Sequence, residues 1–501
     1  MKKTFVLLAA VSAAVCSGVY ASGTRDSGKK YSIRFNPDVY EERSVTSENT
    51  TVKYRAYEKI VYVRNPVDTT YEIMNIYIPS AYFENGTVNG YTAGTAPVFL
   101  PNMVGGYMPG LPGTPDDGTG GPGPGPAFDG GRPGMNAIAY ALVNGFVVAS
   151  PGARGRTTAA GRAPACIVDL KAAVRYLRYN DKIMPGDAGK IISNGTSAGG
   201  ALSALLGAGG DNSDYEPYLK QIGAADERDG IYAVSAYCPI TDLDHADAAY
   251  EWLFNGYNTY EKIDISMLDY KVQRKLVAGS LTDGQMNVSA ELKKQFPSYV
   301  NSLGLVSEDG TELRLADDGS GTFRERVKKF VMESAQKALD GGADMSPYAF
   351  LSISSGKVTD IDFAAYVGYA GRQKLPPAFD ALDLSSGENN LFGTVAVESQ
   401  HFTSYSEKNS LIPDAGTADT RIVKMMNPLN YIGTAGTTTA QYWRIRQGTK
   451  DRDTSLAVPV ILATTLENRG YDVDFALPWD KPHGGDYDLD ELFAWINSIC
   501  R

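Results

Sequence analysis

The stretch that most restricts what this chain can fold into is Lys190-Ile191-Ile192-Ser193-Asn194-Gly195-Thr196-Ser197-Ala198-Gly199-Gly200-Ala201-Leu202-Ser203-Ala204-Leu205-Leu206. An apolar run of strand character enters a G-x-S-x-G pentapeptide, and a small-residue helix pattern leaves it. A serine between such flanks sits on a tight strand-to-helix turn that lifts its hydroxyl clear of a sheet. Gly195 and Gly199 fit because bulkier side chains there would collide with the neighbouring strand and helix. Ala198 follows the serine at a helix N-terminus, where its N–H is placed to hold an oxyanion. With glycine at 53 of 501 residues the pentapeptide alone is weak, so its context has to carry it.

At 501 residues and 43% hydrophobic content, the chain has room for two domains, or for one domain with a large insertion. A net charge of −11 points to a soluble acidic protein and away from nucleic acid or an anionic membrane as the main partner. Residues 1–21 read as a secretory signal. Lys2 and Lys3 precede an apolar run at 5–11, and Val19-Tyr20-Ala21 supplies a small-x-small cleavage site. That run is too short to span a membrane as a mature helix. A lipid-modified Cys16 is the alternative, and Val15 before it is bulkier than that processing usually accepts. Either reading exports the protein to a periplasm or beyond. Cys166, Cys238 and Cys500 remain, an odd number that permits at most one disulfide and has no metal-cluster spacing. For Cys166 and Cys238 the expected role is that of small buried hydrophobes.

Residues 22–43 read as a linker. From 44 onward, alternating runs at 52–57, 60–63 and 71–79 predict antiparallel strands at a sheet edge. Residues 96–101, 145–150 and 230–239 are short apolar runs of the buried-strand kind, with helical patterns at 136–143 and 166–177 between them. Residues 109–134 are Gly/Pro-rich and predict a long surface loop without regular structure. At 152–156 the two arginines are expected to pin a loop. From 241 to 420 the chain turns more charged and shows amphipathic helices, as at 323–339, with no buried-strand runs. Strands at 442–448 and 471–477, with helices at 455–468 and 489–499, then resume the earlier alternation. Strand–helix alternation implies an α/β protein with a mostly parallel sheet covered on both faces. The expected organisation is a core over 44–240 and 421–501, interrupted by a mainly helical lid domain at 241–420.

Downstream residues complete a chemistry. Ser197 comes first, a carboxylate follows a late strand, and a histidine follows the last strand, which is the order of α/β-hydrolases. A serine hydroxyl is a poor nucleophile until a neutral imidazole takes its proton, and a carboxylate must fix the tautomer of that imidazole. Of His245, His401 and His483, only His483 follows a core strand in a Gly-flanked loop. The other two fall in the lid, where solvated or capping roles are expected. Asp451 is read as the acid. Asp453, its neighbour in an Asp-x-Asp pair, has a helix N-cap as its alternative role. Gly105 and Gly106 follow the strand at 96–101, where hydrolases place their second oxyanion donor; a plain glycine turn is the alternative.

The segments Gly195-Thr196-Ser197-Ala198-Gly199-Gly200, Gly448-Thr449-Lys450-Asp451-Arg452-Asp453-Thr454 and His483-Gly484-Gly485-Asp486 together resemble those of bacterial tannases. The similarity appears again at 101–108 and 152–156, and it runs from about residue 50 onward. The resemblance implies an α/β-hydrolase with a large lid that splits galloyl esters, without metal or organic cofactor. It also implies that the second Asp of the pair, with a Lys and a Glu from the lid, holds the three hydroxyls of the gallate ring. Those roles map onto Asp453, onto Lys374 ahead of Leu375-Pro376-Pro377, and onto Glu388 ahead of Asn389-Asn390. The Gly/Pro loop is longer than the family leads one to expect. Thr196 and Gly484 exclude the fungal subtype that carries cysteines beside its Ser and His. The expected substrate is a small aromatic ester. Two other readings stay open: an esterase for feruloyl or acetyl groups that lacks the ring clamp, and a non-catalytic exported binding protein on a hydrolase scaffold.

Overall fold

Short apolar runs rich in Val and Ala, closed off by turns, become strands buried on both faces. In chain order the strands are β1 (Glu41–Ser47), β2 (Thr50–Val61), β3 (Ile73–Pro79), β4 (Pro97–Pro101), β5 (Val147–Pro151), β6 (Asp187–Thr196) and β7 (Ala233–Tyr237). Then come β8 (Thr259–Leu268), β9 (Lys271–Ser280), β10 (Leu351–Ser354), β11 (Lys357–Ile361), β12 (Tyr442–Arg446) and β13 (Asp472–Ala476). Nine of them form one sheet in the order β1-β2-β3-β5-β4-β6-β7-β12-β13. The first three pairings are antiparallel and every pairing from β5 onward is parallel. This computed structural model describes residues 30–47, 49–116, 136–268 and 271–501, with backbone only at 263–268 and 271–274. The signal segment 1–21, residues 22–29 of the linker and most of the Gly/Pro loop lie outside the described residues.

Parallel strands require crossovers, and helices supply them: Ala137–Val143, Ala165–Asn180, Ala198–Ala208 and Ala457–Asn468 each link two strands of the sheet. Leu489–Cys500 closes the chain, and its Phe493 ring packs 5.3 Å from Phe99 and 5.5 Å from Phe146. This layout puts the ends of β4, β6, β7, β12 and β13 side by side, and the loops after them build the site.

Two expectations change near the N-terminus. The linker at 22–43 is anchored at two points: Ile33 and Phe35 are buried, and the Phe35 N–H donates to Asn180 Oδ1 at 2.8 Å. β1 then begins inside the expected linker and leaves most of its side chains toward solvent, so it carries no hydrophobic period that a sequence reading could use. The two strands read at 52–57 and 60–63 are one strand with a bulge between Tyr57 and Ile60. Lys59 there has φ of 57°, and its N–H donates to Asn75 Oδ1 at 3.0 Å.

Between β7 and β12 the chain makes a long insertion. Its main helices are Leu243–Phe254, Asp283–Ser302, Thr322–Asp340 and Phe363–Ala370, and β8–β9 and β10–β11 are antiparallel hairpins outside the main sheet. Asp283–Ser302 starts at a capping box formed by Thr282 and Gln285. Trp252 packs 5.4 Å from Phe296 and 5.9 Å from Phe323, and these rings belong to the same buried apolar cluster as the sheet. Among the described residues no helix is long and apolar enough to cross a membrane.

Candidate active site

Ser197 stands between β6 and the helix Ala198–Ala208 with φ of 61° and ψ of −124°, a conformation that costs an L-residue on the order of 1–3 kcal/mol. The surroundings hold it there. Its N–H donates to the Tyr237 carbonyl at 2.9 Å. A side chain at Gly195 would sit 2.6 Å from Asn102 Nδ2, and one at Gly199 would sit 2.7 Å from the Val104 carbonyl. The glycines of the motif are thus demanded by close approach. Asn102, buried at the end of β4, ties the turn together: its Nδ2 donates to the carbonyls of Gly199 (3.0 Å) and Asn194 (3.2 Å) and contacts Ser203 Oγ at 3.0 Å. Asn102 was not singled out from the sequence, although an amide directly after a central strand was the available signal.

Gly105 and Gly106 lie in the loop beyond Asn102. Side chains there would meet nothing within 4 Å, so the space over them is open, and Gly106 has φ of 54°. The loop is pinned from the next strand's end. Gly110 and Ala153 exchange backbone hydrogen bonds at 3.0 Å, the Arg156 N–H donates to the Tyr107 carbonyl at 2.8 Å, and Arg156 Nε donates to the Gly106 carbonyl at 2.6 Å. Arg154 is buried against Asp169, with Nη2 at 2.6 Å from Oδ1. Both arginines at 152–156 therefore hold loops. The Ala198 N–H, in the first helical turn, has no intrahelical acceptor.

Asp451 and His483 sit on the loops after β12 and β13. The two loops are joined by the Thr449 N–H to the Pro478 carbonyl (3.0 Å) and by the Asp480 N–H to Thr449 Oγ1 (2.7 Å). Asp451 is buried, and its Oδ2 accepts from His483 Nδ1 at 2.8 Å. Its Oδ1 accepts the Asp453 N–H at 2.9 Å, which turns Asp453 to the other side of the ring, 4.0 Å from His483 Nε2. The N-cap alternative for Asp453 fails, because the following helix starts at Ala457 with Leu456 as its cap. The His483 loop rests on the elbow strand: Asn194 Nδ2 donates to Asp486 Oδ1 at 3.0 Å, and Gly485 packs so closely on Thr196 Oγ1 that no side chain fits. These contacts seat the histidine loop on the residue preceding Ser197. Burial opposes charge on His483, but the carboxylates of Asp451 and Asp453 outweigh it and raise the imidazole pKa well above 6.5.

The insertion brings Lys374 and Glu388 to the same place. Lys374 Nζ lies 3.4 Å from Asp453 Oδ2 and 4.0 Å over the Phe379 ring. Burial raises the Glu388 pKa, with Lys374 opposing and Asp453 adding to the rise, so the three charges share one field. Burial likewise works against ionised Asp453, yet Lys374 and His483 hold its pKa below 3.8.

Residues that sequence reasoning missed hold this arrangement. Gln373 Nε2 donates to Asp453 Oδ1 at 2.7 Å. Tyr250 Oη accepts the N–H groups of Gln373 (3.0 Å) and Lys374 (2.9 Å) and donates to the Arg452 carbonyl (3.0 Å), joining the insertion to the Asp451 loop. Arg372 and Glu251 form a fully buried two-pronged pair at 2.8 and 2.5 Å. His401 corrects its expected role: it is fully buried, with Nδ1 2.7 Å from Asp380 Oδ1, and Asp380 also accepts from Asn389 beside Glu388. His245 stacks at 3.5 Å on Tyr299 and pairs with Asp242 at 3.0 Å.

A largely parallel sheet, an elbow serine after β6 and a His–Asp hydrogen bond between the loops after β12 and β13 define an α/β-hydrolase. A family model described as BD-FAE matches residues 130–280, and no curated protein was matched. The chain is similar to the tannase of Lactobacillus plantarum at 44% identity, TM-score 0.88, over 94% of this chain and 99% of that one. It is similar to Fusobacterium nucleatum tannase at 49% identity, TM-score 0.87, over 94% and 100%. A tannin acyl hydrolase in complex with ethyl gallate matches at 45% identity, TM-score 0.86, over 94% and 99%. The chain belongs to the bacterial tannase family and is a carboxylic ester hydrolase.

Proposed function

We propose that the chain is an exported serine esterase that hydrolyses galloyl esters through an acyl-enzyme. Ser197 Oγ attacks the ester carbonyl while neutral His483 takes its proton. The buried Asp451 fixes the ring tautomer through Nδ1 and stabilises the imidazolium. The N–H of Ala198, with that of Gly105 or Gly106, receives the oxyanion. His483 then gives its proton to the leaving alcohol, and water releases the acid by the same steps in reverse. Lys374, Glu388 and Asp453 receive the ring hydroxyls: the carboxylates accept from phenolic O–H groups and the ammonium donates to their oxygens. Export rests on residues 1–21, and a mature N-terminus at Ser22, read by mass spectrometry, is the expected outcome; a diacylglyceryl-modified Cys16 would replace it with an anchored form.

The observation that carries this reading is Lys374 Nζ at 3.4 Å from Asp453 Oδ2 beside the His483–Asp451 pair, with Glu388 near enough for both charges to act on its carboxyl. Related proteins solved with ethyl gallate and with 3,4-dihydroxybenzoate support a polyhydroxylated ring as the ligand. A substrate lacking a hydroxyl leaves unpaired a charge that the bound ring shields from water, at about 1–3 kcal/mol for each group lost. The test compares kcat/KM on methyl gallate, methyl protocatechuate and methyl benzoate in the parent, Glu388→Ala and Asp453→Ala. The parent should prefer them in that order, and each substitution should erase most of the preference. Equal turnover of gallate and benzoate esters by the parent would reduce the reading to a general esterase. Ser197→Ala should lose several orders of magnitude in kcat with the fold intact.

A further inference from the structure

Ester hydrolysis makes no use of one group beside the His483–Asp451 pair. Cys238 follows β7 with φ of 44°, is fully buried and carries a free thiol. Its Sγ donates to the Gly484 carbonyl at 3.0 Å and accepts the Gly484 N–H at 3.4 Å, so it lies against the residue next to His483. One ligand atom each from Cys238, Asp451 and His483 all fall within 4.8 Å of one another. Positions 238, 451 and 483 give this grouping no sequence spacing, which is why counting cysteines did not reveal it. Metal–ligand bonds of about 2.0–2.3 Å in a tetrahedral site put ligand atoms roughly 3.4–3.6 Å apart, so seating an ion asks shifts of no more than about 1 Å. If Nδ1 is the ligand, the Asp451–His483 pair opens from 2.8 Å. Thiolate with imidazole selects soft or borderline cations over magnesium and calcium.

A second group, Asp242, Asp244 and His245, also lies within 4.8 Å, but its members are taken up elsewhere. Asn427 Nδ2 donates to both carboxylates at 2.8 Å, Tyr299 Oη donates to Asp242 at 2.6 Å, and His245 is stacked on the Tyr299 ring. It has no sulfur. The Cys238 group has one, and the side chain of His483 is 19% exposed, which leaves an entry from solvent.

We propose that Cys238, His483 and Asp451 form an inhibitory site for a thiophilic divalent cation of the zinc class, a reading that rests on the triad assigned above. The ion exchanges for the thiol proton, which leaves to solvent, and gains one metal–sulfur bond, one bond to a ring nitrogen and one to a carboxylate oxygen. No electrons change hands. Bound at Nε2, it occupies the lone pair that takes the Ser197 proton; bound at Nδ1, it sends the Nδ1 proton to Nε2, which breaks the hydrogen bond to Asp451 and fills the lone pair that would take the Ser197 proton. Either stops the reaction.

The test titrates untagged full-length protein with zinc chloride and with cadmium chloride during methyl gallate hydrolysis, and measures metal content after desalting. The parent should bind one ion per chain at this site, lose activity with zinc or cadmium but not magnesium, and recover with EDTA. Cadmium should produce the ultraviolet charge-transfer band of a metal–thiolate bond. Cys238→Ser keeps a hydroxyl against Gly484 but no soft ligand; it should stay active, need at least about tenfold more metal for the same inhibition and lack the band. The band in the parent should persist in Cys166→Ser and Cys500→Ser. Equal metal sensitivity of parent and Cys238→Ser, or inhibition of the parent by cadmium without the band, would overturn the proposal. Should Cys238→Ser not fold, the band and stoichiometry of the parent, with and without the Cys166 and Cys500 substitutions, decide. Titrating Ser197→Ala by the band alone separates this site from the triad: binding there persists whatever the role of Ser197.

Discussion

His483 answers to two carboxylates, and each does different work on the ring. Asp451 at Nδ1 fixes orientation, whereas Asp453, 4.0 Å from Nε2, adds charge without a direct hydrogen bond. A negative neighbour stabilises imidazolium, so it raises the pKa, and in the proposed mechanism, where only neutral His483 takes the Ser197 proton, it moves the acid limb of activity toward higher pH. Asp453→Asn removes that charge. On an activated aryl acetate, which needs no ring hydroxyls, the acid limb of kcat/KM is expected to shift to lower pH; an unmoved limb would mean that Asp453 does not act on the ring. Steric demand is as local as charge here. Gly485 lies against Thr196 Oγ1, and an added methyl would also come within 3.0 Å of Tyr237 Cβ. Gly485→Ala should cost about 1–3 kcal/mol in urea unfolding, as overpacking does. Adding Thr196→Ala, which deletes the colliding oxygen, should return most of it, a non-additivity expected of touching residues.

Among the elements, the loop at 152–156 links the two halves of the site. Arg156 reaches the Gly106 carbonyl with Nε, and its guanidinium lies against Gly387, next to Glu388, with Nη1 3.4 Å from Asn390 Oδ1. Lys cannot reproduce that fork. Arg156→Lys should therefore lower kcat/KM about tenfold to a hundredfold by loosening the Gly105-Gly106 loop. The loss should be similar on methyl gallate and on an aryl acetate; a loss confined to gallate would place the effect at Glu388 instead. Such links explain what the sequence could and could not reveal. The elbow, the strands around it and the loops bearing Asp451 and His483 were legible because each obeys a local rule: apolar runs, close-packed glycines, a fixed order of chemistry. Lys374 and Glu388 came from family resemblance alone, since a lysine and a glutamate in a charged insertion have no local signature. Tyr250, the Arg372–Glu251 pair and the Asp380–His401 contact were invisible because their partners are distant in the chain. β1 was missed for the opposite reason: it is exposed, so no period marks it.

At the scale of the whole molecule, residues Tyr31–Arg501 form one compact unit, and the insertion has no core separate from the sheet's. The carboxylate of Asp453 comes from the sheet's loops while the ammonium of Lys374 comes from the insertion, so the proposed ring-binding site exists only when both parts are folded. Calorimetry should accordingly show one cooperative transition, and a ligand held at that site should stabilise the entire unit. Gallate, the acid released from the proposed substrates, binds the folded state alone and at about a hundredfold over its Kd adds roughly 2.7 kcal/mol. For a unit of this length the unfolding entropy is on the order of 1 kcal/mol/K, so Tm should rise by about 3 °C. In Glu388→Ala or Asp453→Ala the same gallate concentration should give a much smaller rise, because a lost carboxylate leaves one ring hydroxyl unpaired. Two separate transitions, of which gallate moves only one, would mean that the insertion folds by itself and that the site is assembled by docking.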